Sequence, residues 1–198
     1  MPADRRELRR KLFNLAAQQG GYFTAAQAKD VGYSYQAQAH HVAAGNWCRI
    51  DRGIFHFVDW VPELHDDLIR WNLWSRNRAV ASHETALAVH RIGEFESPRV
   101  QLTVPPGFSM SDDSVVLHRA ELPVGDVVDQ GGYRVTTVTR SLIDVAAHGA
   151  DEEQLSRAIL QARDAGVITL RQLRSRAEMV DLRAALHIER AIQQVEAR

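Results

Sequence analysis

The chain has 198 residues, 45 % of them hydrophobic, with 24 Lys and Arg against 25 Asp and Glu and a formal net charge of −1. That balance supports a packed core and excludes global disorder. The length suits one large domain or two small ones, and no apolar run nears the roughly 18 residues of a membrane helix. The charged start, MPADRRELRRKLFNL, lacks an apolar signal segment, and the single Cys48 excludes an intrachain disulfide framework and a cysteine-rich zinc site; a cytoplasmic protein with no membrane partner is expected.

In chain order, Leu8, Leu12, Phe13, Leu15 and Ala16 recur at helical spacing and predict a helix over 4–18, stopped by Gly20 and Gly21. Tyr22 and Phe23 form a short extended link. Thr24, with Gln27 three residues on, has the capping-box pattern and opens a helix over 25–30 that ends at Gly32. Ser34 caps the next helix, over 35–44, until Gly45. Two short strands, Trp47–Asp51 and Ile54–Val58, flank a turn at Arg52 and Gly53. Cys48 is expected to be a small buried hydrophobe on the first of them. Helix, helix–turn–helix and β-hairpin is the order of a winged helix-turn-helix.

A second unit follows. Pro62 opens a predicted helix to about Asn77 with Leu64, Leu68, Trp71, Leu73 and Trp74 as its apolar stripe. Ser82 caps a helix over 84–91. Strands are predicted over 100–104 and 115–118, with Pro105, Pro106 and Gly107 as a break, and over 124–128 and 133–138 as a hairpin about Gly131 and Gly132. Thr139 or Ser141 opens a helix to about Ala147; Asp151 and Thr169 cap two more. The last starts near Asp181 and carries Leu182, Leu186, Ile188 and Ile192. The expected fold class is α+β: a winged helix-turn-helix DNA-binding domain over 1–59, then a mixed helix and antiparallel-sheet domain over 60–198.

Charge separates the two. Residues 1–60 carry eight basic groups against five acids, residues 61–150 eight against twelve, and the remainder balance. A basic head is the electrostatic footprint of a phosphate-binding module. In a helix-turn-helix the second helix enters the major groove. If Val42 is buried, Tyr35, Ala39 and Ala43 turn inward with it, Gln38 fits poorly, and Ser34, Gln36, Ala37, His40, His41 and Ala44 face out. Gln can bond an adenine edge, and Ser and His can bond bases or phosphates. Arg49, Arg52 and His56 stand at the wing, and Arg5, Arg6 and Arg9 at the start of the first helix, where they can grip backbone phosphates. With Thr24 and Tyr35 these residues make the candidate DNA-binding set. Two copies acting on repeated half-sites are expected.

Three strings carry a family resemblance. Gly32-Tyr33-Ser34-Tyr35-Gln36-Ala37-Gln38, followed by His41-Val42, Gly45, Trp47 and Arg49-Ile50-Asp51-Arg52-Gly53-Ile54-Phe55, resembles the N-terminal winged helix of AbiEi-family antitoxins. Ala81-Ser82-His83-Glu84-Thr85-Ala86-Leu87-Ala88-Val89-His90 is similar to the family's "SHxTALxLHG" stretch. Val138-Thr139-Arg140-Ser141-Leu142-Ile143-Asp144-Val145-Ala146 is similar to its "T-x-R-T-L-x-D-x-A" pattern. The resemblance implies a DNA-binding autorepressor that binds repeats in its own promoter. It also implies the antitoxin of an AbiE-type pair, with a C-terminal domain that counters a nucleotidyltransferase-like toxin.

Other readings come from the second unit. His83, Glu84 and His90 contain residue types used in metal and acid–base sites. Seven residues of helix place the two histidines roughly ten ångströms apart, too far for one ion, and no metal or cofactor is expected. Asp144 can pair with Arg140 at i,i+4; with Asp112 or Asp126 it would instead be a nuclease carboxylate on a DNA-directed enzyme. No Gly-rich phosphate loop, GxSxG elbow or HExxH motif is present, and a non-enzyme is expected. An orphan regulator without a toxin, and a winged helix used as a protein docking surface, complete the alternatives.

Overall fold

The computed structural model describes residues 4–95 and 97–196. The chain divides into two compact units. One comprises residues 1–78 with 130–133, and the other 79–129 with 134–198.

In the first unit, α1 (Arg5–Ala17) leads into β1 (Tyr22–Thr24), α2 (Ala25–Val31), α3 (Tyr35–Ala43), β2 (Trp47–Asp51), β3 (Ile54–Phe57) and α4 (Asp66–Trp74). The capping box forms as the sequence predicts: Gln27 N donates to Thr24 Oγ1 at 3.2 Å and Thr24 N to Gln27 Oε1 at 2.7 Å. The extended link at Tyr22 and Phe23 is a true strand, and it joins the hairpin in an antiparallel sheet of order β1-β3-β2. Its middle residue, Phe23, is fully buried and meets Trp47 edge-on at 4.9 Å and Phe57 at 5.0 Å. Leu12, Ala16, Ala28, Tyr33 and Phe55 close this core. Burying a phenylalanine this fully is worth about 2–3 kcal/mol.

Three local expectations differ. Residues 62–65 are not helical, and α4 begins at Asp66 behind a left-handed His65, leaving Leu64 72 % exposed. The helix packs on β1 and β3 of the first unit, although the sequence division places it after residue 59. Cys48 is exposed, because its side chain points off the sheet face opposite Trp47. Gly21 has φ +81°, and a Cβ there would be driven into the Trp60 indole. Gly21→Ala is expected to cost about 2 kcal/mol or more, read as a lower urea midpoint.

The second unit has β4 (Val80–Ala81), α5 (His83–His90), β5 (Val100–Val104), β6 (Val115–Arg119), a 3-10 turn (Val124–Asp126), β7 (Val127–Asp129) and β8 (Arg134–Thr136). Then come α6 (Val138–Ala147), α7 (Glu152–Asp164), α8 (Leu170–Val180) and α9 (Leu182–Glu196). The sheet order is β6-β5-β4-β8-β7. The β7–β8 hairpin is antiparallel as expected, but β5–β6 and β4–β8 are parallel, so the sheet is mixed. The segment 105–114 is long enough to return the chain for a parallel strand and buries Phe108 on the way. The α+β class holds.

α6 is the central helix of this unit. It packs against α5, α7, α8 and α9, and eight of its ten residues are buried. Thr137 caps it, two residues before Thr139 and four before Ser141, the two nominated from sequence, by accepting from Arg140 N at 3.3 Å. Arg140 is buried among acids: Nε donates to Asp144 Oδ1 at 2.8 Å and Nη1 to Asp126 Oδ2 at 3.0 Å. Arg176 closes on Asp126 at 2.8 Å. α9 turns Ala184, Ile188, Ala191, Ile192 and Val195 to the core. Leu182 and Leu186, expected in its apolar stripe, are 78 % and 53 % exposed.

Candidate nucleic-acid interface

The helix pair α2–α3 is turned by Gly32 at φ +123°, and Ser34 caps α3 by accepting from Ala37 N at 3.2 Å. The register of α3 is rotated from the expected one. Gln38 is buried, and Ala37, His41 and Val42 are half-buried beside it. Tyr35, Gln36, Ala39, His40 and Ala43 face solvent. The reason is Gln38, whose Nε2 donates to the carbonyls of Ala25 and Tyr33, both at 3.0 Å. A buried amide with its donors satisfied costs little, and it pins the helix to α2. Tyr35 and the Ala39 and Ala43 methyls, expected inward, therefore lie on the exposed face. Tyr35 is 63 % exposed, with the Lys29 ammonium 5.4 Å from its ring centroid.

His41 is drawn in to stack on Trp47, with ring centroids 4.7 Å apart and an interplanar angle of 15°, and its Nδ1 lies 3.3 Å from Asn46 Nδ2. Burial, then His40, Arg9 and Arg5, hold its pKa below the ordinary histidine value. It is a half-buried, packed ring. His40, one residue earlier, is exposed.

Arg5 and Arg9 lie one turn apart on α1 and, with Arg6, reach the same place. Arg5, Arg6 and Arg9 line a cleft of about 480 Å³ together with Tyr33, Ala37, His40, His41, Asn46 and Trp47; Asp59 is the acid there. No ion pair holds Arg5, Arg6 or Arg9 among the described residues. Lys11, by contrast, is paired to Glu7 at 2.8 Å. The cleft thus joins α1 cations to the exposed end of α3, a convergence that spacing alone cannot show.

At the hairpin, Arg49 and Arg52 are exposed. Gly53, with φ +76°, makes the turn, and its carbonyl accepts from Ala25 N at 2.8 Å, which ties the wing to the start of α2. Thr24 and His56 are engaged internally: Thr24 in its capping box, His56 through Nε2 to Gly20 O at 3.1 Å and its ring on Tyr22 at 4.4 Å. Ser34 is engaged in its cap but exposed. The candidate set therefore separates into exposed side chains (Arg5, Arg6, Arg9, Tyr35, Gln36, His40, Arg49, Arg52) and side chains that shape the domain (Thr24, Ser34, His41, His56).

In the second unit the expected Arg140–Asp144 pair is present, and Asp126 shares the same guanidinium. Burial pushes the Asp144 carboxyl up to about 6, although Arg140 pulls it down. His90 is turned to the Thr136 carbonyl at 2.8 Å. His83 does not pair with it but meets two histidines that sequence reading missed, His118 and His148.

This order of helices and strands is that of a winged helix-turn-helix. Residues 10–58 match the family model described as transcriptional regulator, AbiEi antitoxin. The resemblance seen in the sequence is borne out over that segment, which ends before the two later strings. Among solved structures, the RV2827C protein from Mycobacterium tuberculosis has a similar fold. Its TM-score is 0.61 at 12 % identity, covering 93 % of this chain and 77 % of that one. No curated protein matches the chain. No helix among the described residues is long and apolar enough to cross a membrane.

Proposed function

We propose that the protein is a DNA-binding transcriptional autorepressor and the antitoxin of an AbiE-type pair, acting in the cytoplasm. α3 lies in the major groove with Gln36, His40 and Tyr35 toward base edges, and its exposed alanines allow close approach. Arg5, Arg6 and Arg9 grip phosphates at one end of the site, and Arg49 and Arg52 do so from the wing. Two copies on repeated half-sites cover the promoter and block transcription. The second unit counters a nucleotidyltransferase-like toxin.

The observation that carries this reading is the convergence of Arg5, Arg6 and Arg9, which pair with no described acid, on the exposed end of α3; α3 and the wing lie within residues 10–58, which match an antitoxin-regulator model. The test is a gel shift on a fragment from upstream of the protein's own gene, with unrelated DNA as competitor. Wild type shifts its own fragment selectively. Gln36→Ala/His40→Ala weakens that selective shift about tenfold or more, as expected for lost base contacts. Equal affinity for the two DNAs in wild type would remove the regulator reading. Rescue of growth on co-expression with the adjacent gene tests the antitoxin half.

A further inference from the structure

Three histidines from distant parts of the second unit meet at one place. His83 is the first residue of α5, His118 lies on β6, and His148 caps the C-terminus of α6. The His83 and His118 rings stack with centroids 3.6 Å apart, and His148 stands across both at 4.6 and 4.7 Å. One ring nitrogen of each residue lies within 4.8 Å of one from each of the others.

Two of the rings hold a nitrogen against an oxygen that can only accept. His118 Nε2 lies 2.6 Å from Gln101 Oε1. The amide is oriented by its Nε2, which donates to Ser97 Oγ at 3.2 Å, while the Ser97 hydroxyl donates to Arg99 O. Oε1 can only accept, so His118 carries its proton on Nε2 and a lone pair on Nδ1. His148 Nδ1 lies 2.9 Å from the Asp144 carbonyl, which also can only accept, so its lone pair is on Nε2. His83 Nδ1 lies 2.9 Å from Ser82 Oγ, itself an acceptor from Thr103 Oγ1 at 2.8 Å. Its Nε2 lies 3.2 Å from His148 Nδ1, the nitrogen that donates to the Asp144 carbonyl. Two of the three imidazoles, His118 and His148, each have one N–H anchored on a protein oxygen and keep a lone pair on the other nitrogen, the outer-shell pattern of metal-binding histidines.

The backbone also supports a dedicated site. His83 has φ +54°, a left-handed conformation that a non-glycine residue adopts at a cost. Its ring sits behind Ser82, which is itself fully buried. His148 is exposed and provides an entry path. We propose that His83, His118 and His148 form a binding site for a divalent transition metal, best matched to Zn²⁺ with an open fourth position. Tetrahedral coordination at about 2.0–2.1 Å sets donors roughly 3.3 Å apart. Binding therefore draws the three rings together, a movement open to the exposed His148.

The experiment uses the full chain, stripped with a chelator and titrated with Zn²⁺ by calorimetry, with Co²⁺ as a spectroscopic probe. One equivalent of Zn²⁺ per chain is expected, with tetrahedral Co²⁺ absorption and a raised melting temperature. His148→Ala and His118→Ala abolish the Co²⁺ spectrum. Gln101→Leu keeps the stoichiometry but weakens affinity about tenfold. His40→Ala/His41→Ala binds as wild type. His148→Ala removes an exposed ring, so its circular dichroism and melting without metal should match wild type. Should a variant fail that check, His148→Gln takes its place. Less than one equivalent in wild type, or Zn²⁺ binding unchanged in folded His148→Ala, would overturn the proposal.

Discussion

Replacing Arg5, Arg6 and Arg9 together by alanine is expected to lower affinity for the upstream DNA by about tenfold to a hundredfold at physiological salt. Each lost phosphate contact also flattens the slope of log affinity against log salt by about 0.9. The three side chains are exposed on the first two turns of α1 and pair with no described acid. Their removal should therefore change folding stability by no more than about 0.5 kcal/mol. Phosphate contacts fix register without reading bases. The ratio of specific to non-specific affinity should then stay near the wild-type value, while Gln36→Ala/His40→Ala lowers that ratio. A triple variant with wild-type affinity and an unchanged salt slope would place the phosphate contacts elsewhere on the domain.

Arg140→Met is expected to destabilise the second unit by about 3–5 kcal/mol. The guanidinium is 7 % exposed and bridges Asp126 and Asp144, themselves 6 % and 7 % exposed. Asp126 keeps Arg176 after the change. Asp144 keeps no cation, and its Oδ2 has no hydrogen-bond partner even in the wild type. For a chain of this size the loss corresponds to roughly 6–20 °C in melting temperature. Arg140→Met/Asp144→Leu should recover a large part of it, since a matched apolar pair leaves no charge stranded. Equal losses in the single and double variants would mean that the pair itself, and not the orphaned carboxylate, supplies the stability. This network also explains why Arg140 and Asp144 stand four apart in their motif string: that string is a buried helix, and its charged pair holds the fold.

Where a signal is local, the sequence states it. The Thr24–Gln27 capping box, the Ser34, Asp151 and Thr169 caps and the Gly53 turn each need only two to four neighbouring residues, and each forms as predicted. The hydrophobic spacing of α1 works for the same reason. The helix order, the wing and the cationic start of the chain were all legible at that range, and so was the resemblance borne out over residues 10–58.

Other features depend on partners that only folding supplies. β4 is two residues long and buried, so it shows no alternation, yet it lies at the centre of the mixed sheet. The face of α3 was misread by pattern because Gln38 scores as a surface residue. Its burial is decided by the Ala25 and Tyr33 carbonyls that accept from it. His83, His118 and His148 are thirty or more residues apart and carry no shared motif. Their meeting is fixed by the pairing of β5 with β6 and by the place where α6 ends. The sequence by itself determined most of the elements and the sign of the charge on the first unit, because these follow from short-range sterics, capping and composition. The tertiary structure decided which side chains share a cleft, because that depends on long-range packing and on which buried polar groups find partners.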